Sequence, residues 1–226
     1  MDESEIDRTL AACEQELDAG ATPDLRARGF WRAVAAVKRR PGLVARYAPR
    51  IASIDRATFR RRVRLAFPAE IGILLVVGGL LVDLVFLALA IDRDHPWREV
   101  LVLVGAAGLD VATHGLAHLA VGTLVGIGFT DWFVDLPKKP QPGFKIDYAS
   151  YLRASPRSRA WMHAAGAIAT KLTPFLVIPY ALAIDTDAWA IVVLALVGVL
   201  QIVSDVVFSV KTSDWKKFRR EMKLAR

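Results

Sequence analysis

Apolar residues fall into two regimes along this chain. Over residues 1–66 they are interspersed with charges at helical spacing; from residue 69 they gather into four long runs. The first regime predicts three helices. "SEIDRTLAACEQELDAG" offers Ser4 as N-cap, early acids, and Gly20 as a stop. "TPDLRARGFWRAVAAVKRRPG" opens with Thr22 as cap and Pro23 at the first helical position, and carries Trp31, Val34, Ala35 and Val37 as an apolar face. "LVARYAPRIASIDRATFRRRVRLAFP" is basic and amphipathic, with Arg60, Arg61, Arg62 and Arg64 just before the first apolar run. Residues 1–66 are expected to form a helical cytoplasmic region, either a collar on the membrane surface or a partner-binding module.

The second regime predicts membrane helices. Runs at 69–91, 100–128, 161–184 and 188–210 are each near or above the roughly 20 residues that span a bilayer. The expected fold class is all-α, a polytopic membrane protein with about four transmembrane helices in residues 67–210. Residues 211–226 are then a basic cytoplasmic tail. Between the second and third runs, "FTDWFVDLP" and "GFKIDYASYL" alternate apolar and polar around "KKPQPG", the pattern of a short hairpin or re-entrant segment.

Composition agrees with a membrane protein: 54% of residues are hydrophobic. The net charge of +7 is concentrated in three places. These are the arginines before the first run, the central loop (Lys138, Lys139, Lys145, Arg153, Arg157, Arg159), and the tail "KTSDWKKFRREMKLAR". The 185–187 loop, "DTD", has no base. The positive-inside rule places both termini and the central loop in the cytoplasm. The excess base reads as topology and contact with the lipid bilayer, and no nucleic-acid surface is expected. The single cysteine, Cys13, excludes a disulfide framework, and "MDESEIDRTL" does not read as a cleavable signal.

The chemistry lies in "DVATHGLAHLAVG", residues 110–122. Asp110, His114 and His118 recur every four residues, so a helix stacks them on one face. At roughly 1.5 Å per residue, both histidines fall in the cytoplasmic half of the second helix, and Asp205 of the fourth falls near the depth of His118. His163 lies near the cytoplasmic mouth of the third helix and Lys171 near its middle. Asp83 of the first helix is level with Asp110. Each such group costs about 2.5–3.5 kcal/mol to insert, so seven of them imply a shared polar interior. His114, His118 and Asp205 could hold a metal with an open position, as in catalytic zinc sites. They could equally be hydrogen-bonding glue between helices. His95 reads as part of a solvated turn. Gly105, Gly108, Gly122 and Gly126 read as close-packing positions, with a GxxxG at 122–126.

These motifs resemble the site-2 protease family of intramembrane zinc metalloproteases. "HGLAH" stands where that family has HExxH, "HAAGAIAT" from His163 to Thr170 resembles its middle helix, and "VSDVV" holds its later aspartate. The resemblance spans residues 97–210 and implies zinc held by His114, His118 and Asp205. It fails at Gly115, where the family has its catalytic glutamate, and at Ala167, Thr170 and Val206, where it has proline, asparagine and glycine. Without that glutamate the resemblance implies a metal-binding, non-proteolytic relative that binds transmembrane segments or regulates a partner. An active protease using Asp110 as a relocated base is the alternative. A small transporter or proton relay along Asp83, Asp110, His114 and Lys171 is the third reading.

Overall fold

The computed structural model describes residues 1–135, 139–207 and 213–225. In chain order its elements are α1 (Glu3–Asp18), α2 (Phe30–Lys38), α3 (Pro41–Arg62), β1 (Leu65–Pro68), α4 (Ala69–Ala90), α5 (Trp97–Leu124), β2 (Phe129–Asp135), β3 (Lys139–Ile146), α6 (Tyr148–Arg153), α7 (Pro156–Ala183), α8 (Ala188–Val207) and α9 (Asp214–Leu224). Lys138 and residues 208–210 of the fourth run lie outside the described residues, as does the side chain of Val206. The chain is mostly helical. Among the described residues, four helices are long and apolar enough to cross a membrane: Ala69–Ala90, Trp97–Leu124, Pro156–Ala183 and Ala188–Asp205.

The elements form two compact units, residues 1–69 with 126–155, and residues 70–125 with 156–226. The first joins the N-terminal helices to the central loop, which the sequence reading counts within residues 67–210. Its core is Ile6, Leu10 and Cys13 of α1, Phe30, Val34 and Val37 of α2, Tyr47, Ile51 and Ile54 of α3, and Leu152 of α6. The caps differ from those expected. Asp2, not Ser4, caps α1, its carboxylate accepting from the Glu5 amide at 2.8 Å. Asp24 accepts from the amides of Arg26 and Ala27, folding that segment into a turn. Helix α2 therefore starts late, at Phe30, after Gly29 in the left-handed region at φ 75°.

The central loop forms the expected hairpin, β2 against β3, with Asp131 opposite Lys145. A third strand was not anticipated. "LAFP" pairs antiparallel with β2, giving the order β1-β2-β3, and Phe67 stacks on Trp132. Two buried carboxylates tie the sheet to α3: Arg60 donates to Asp131 at 3.0 Å, and Lys145 pairs with Asp55.

In the second unit, α4 is apolar around most of its circumference, with Leu74, Leu81 and Val85 exposed, the surface of a helix that meets lipid. It meets α5 at two glycines. A Cβ on Gly108 would lie 1.9 Å from Asp83 Oδ1, and one on Gly105 would lie 2.9 Å from the Asp83 carbonyl oxygen. Gly126 has a different role from the expected packing: α5 has ended, and Gly126 makes the turn at φ 79°. Helices α4, α5, α7 and α8 share a core of Leu87, Val102, Ala106, Val177, Ala181 and Leu194. The tail folds as well. Helix α9, capped by Ser213, packs on α7 through a buried Arg159–Glu221 pair at 2.7 Å and a Trp161–Phe218 ring contact.

Candidate functional site

Helix α5 stacks His114 on His118, ring centroids 4.7 Å apart and nearly perpendicular. Each imidazole is fixed through Nδ1. His118 Nδ1 donates to the Met162 carbonyl at 2.7 Å. The Thr170 hydroxyl already gives its proton to the Gly166 carbonyl at 2.8 Å, so it accepts from His114 Nδ1 at 2.9 Å. Helix α7 thus sets both tautomers, and it also makes room for one ring: a Cβ on Gly166 would lie 2.2 Å from His118 Nε2.

With Nδ1 of each ring turned to α7, the two Nε2 atoms face inward. The third member of the group is Asp214, from the first turn of α9. Its Oδ2 lies 3.2 Å from His118 Nε2 and 3.7 Å from His114 Nε2. Burial pushes the Asp214 carboxyl up, but the hydrogen bond with His118 and the Lys217 ammonium at 2.9 Å outweigh it and hold it well below the ordinary carboxylate range. The Lys217 ammonium supplies positive charge on the Oδ1 side of Asp214, and Oδ2 faces the two imidazole nitrogens, where a second ring proton or a cation would be accommodated. The three ligand atoms fall within 4.8 Å of one another, and a cation set of two imidazoles and one carboxylate fits the residues present. Hydrogen bonds to the far nitrogens orient the rings, as is usual for metal-bound histidine.

Asp205, the expected third ligand, lies elsewhere. Its carboxylate pairs with Lys171, which also donates to the Ala167 carbonyl at 3.1 Å and sits 6.0 Å from the Trp215 ring centroid. Neither Asp83 nor Asp110 of the proposed relay path pairs with Lys171 among the described residues. Asp83 instead lies against Gly108, and Asp110 accepts from Gln201 Nε2 of α8 at 2.7 Å. His163 is buried on α7 outside the trio, with Asp214, Lys217, His118 and Glu221 among its titratable neighbours. Gly115 lies between the two histidines in sequence and brings no side chain to the site. His95, read as a solvated turn, contacts Glu99 and Asp187.

Sequence reasoning missed Asp214, Gln201 and the space-making role of Gly166. One signal for Asp214 was available. Ser213 followed by Trp215, Phe218 and Met222 is a capped helix with one apolar face, so the tail was a candidate to pack on the bundle. Comparison with protein-family models, curated proteins and solved structures gives no match for this chain.

Proposed function

We propose that this chain is a membrane-embedded metal-binding protein, a divergent, non-proteolytic relative of the site-2 proteases, with both termini in the cytoplasm. The observation that carries this reading is the convergence of His114 Nε2, His118 Nε2 and Asp214 Oδ2 with both rings anchored through Nδ1. Two imidazoles and a carboxylate suit zinc, which would be held by His114, His118 and Asp214. Zinc in such a setting supplies Lewis-acid polarisation of a bound ligand. The chain's own residues orient the rings and hold a negative charge beside them. Helix α9 supplies the acid from the tail, a departure from the aspartate position that the resemblance implies. Gly115 supports the non-proteolytic part, because no carboxylate stands where the family has its proton acceptor. A site of this kind binds transmembrane segments or a partner without cutting them.

The test is zinc content of the purified protein in detergent. One zinc equivalent should depend on His114, His118 and Asp214, falling at least tenfold in affinity with alanine at each, and Asp205→Ala should keep it. Zinc content in Asp214→Ala equal to that of the wild type, with no equivalent lost, would overturn the ligand set. Chelator-sensitive cleavage of a transmembrane peptide by the wild type would overturn the non-proteolytic reading.

A further inference from the structure

At the far end of α5 from His114 and His118, three more ligand-type side chains meet. His95 lies two residues before the helix, Glu99 lies in its first turn, and Asp187 comes from the turn between α7 and α8. His95 Nδ1 lies 3.2 Å from Glu99 Oε2 and 2.9 Å from Asp187 Oδ2. The three ligand atoms fall within 4.8 Å of one another. Glu99 to His114 is 15 residues of helix, roughly 22 Å at 1.5 Å per residue, so this group is separate from the first.

The charges here do not balance within the group. A single imidazole nitrogen faces two carboxylates: Glu99 is 1% exposed, so its charge is largely removed from water, while Asp187 is 51% exposed. The guanidinium of Arg98 is aimed at the backbone carbonyls of Arg93 and Asp185, at 2.9 and 3.0 Å. A divalent cation among these three atoms matches the charge of both carboxylates, and a neutral imidazole is the form that acts as a ligand. The geometry also resembles a prepared site in one further respect. The Asp187 amide donates to Glu99 Oε1 at 3.2 Å, which orients the carboxylate and leaves Oε2 facing His95. His95 is 61% exposed, so an ion has a path from solvent. In the same turn the Thr186 hydroxyl is buried without a hydrogen-bond partner among the described residues.

We propose that His95, Glu99 and Asp187 form a second divalent-metal site, which staples the α7–α8 turn to the start of α5. One imidazole and two carboxylates select a borderline transition ion such as Zn²⁺ over Mg²⁺ or Ca²⁺, which favour all-oxygen sets.

The experiment is Zn²⁺ titration by calorimetry on the full chain in detergent, with Co²⁺ absorption as a second readout. The His114→Ala/His118→Ala double variant removes the first site. It should still take up one equivalent of Zn²⁺, and Zn²⁺ should raise its melting temperature. Adding His95→Ala, a change at an exposed side chain that leaves the fold intact by size-exclusion profile, should weaken uptake at least tenfold and abolish the melting shift. No uptake by the double variant, or uptake unchanged by His95→Ala, would overturn this site. The two metal readings fail independently: binding lost with His114→Ala but not with His95→Ala rejects the second site alone, and the reverse rejects the first alone.

Discussion

At the residue scale, Gly166 is the most sharply constrained position near the histidines. A methyl group there would lie 2.2 Å from Nε2, 2.6 Å from Cδ2 and 2.7 Å from Cε1 of His118, well inside van der Waals contact. The ring must move, and it cannot do so while Nδ1 keeps the Met162 carbonyl. Gly166→Ala is therefore expected to lower zinc affinity by about 10–100-fold, the range seen when ligand orientation is disturbed, with helical content unchanged by circular dichroism. Wild-type affinity in that variant would show that His118 does not serve the site. A second residue-scale prediction concerns acid. The Tyr47 hydroxyl, helped by Arg46 and Arg50, holds the Asp7 carboxyl below its ordinary value against the opposing effect of burial. A carboxyl lowered on folding stabilises the folded state above its unfolded value, about 3.9, and that contribution is lost as pH falls through the folded value. Cys13, buried in the same core, reports opening of this unit. Its labelling by a disulfide reagent active in acid should be slow at pH 5 and faster below about pH 4, and Asp7→Asn should flatten that dependence.

At the element scale, α9 determines whether the tail is a passive basic segment or part of the site. It is fastened by Arg159–Glu221, whose side chains are 3% and 0% exposed. Removing one partner of such a pair leaves a charge in the interior, at a cost of about 3–5 kcal/mol, while replacing both by apolar groups is often neutral. Arg159→Met should thus release α9 and speed trypsin cleavage at Lys216–Lys223, and Arg159→Met/Glu221→Leu should restore protection. Equal protection in all three proteins would mean that the ring contacts of Trp161, Trp215 and Phe218 hold the helix without the pair. The elements were legible in the sequence where one signal dominated. Long apolar runs located α4, α5, α7 and α8 to within a few residues, and alternation located the hairpin. The sequence did not reveal β1, because "LAFP" follows a basic helix without a break and acquires its strand character from pairing with β2. The acid of the site was missed for a related reason. Depth along straight helices made Asp205 the natural partner of His118, but Lys171 on the adjacent helix takes Asp205. That left the histidines to an acid from an element whose docking is set by tertiary contacts.

At the scale of the whole molecule, the open question is which way the bundle faces. Basic side chains resist translocation, and they cluster before α4, between α5 and α7, and after α8, while the α4–α5 connection is mixed and the α7–α8 turn has no base. Four crossings then put both termini on one side and place His114 and His118 in the cytoplasmic half of α5, at the end from which α9 supplies Asp214. The prediction is tested with single cysteines in a Cys13→Ala background. Asp92→Cys and Ala188→Cys mark the two outer connections, and Arg157→Cys and Arg219→Cys mark the inner side; all four positions are exposed. In intact cells a membrane-impermeant maleimide should label the first pair at once and the second pair only after permeabilisation. Opposite labelling of both pairs would invert the orientation and present the histidine site to the exterior. Labelling of Arg157→Cys and Arg219→Cys from different sides would be incompatible with Asp214 meeting the histidines, since α9 could not then reach the end of α5 that holds them.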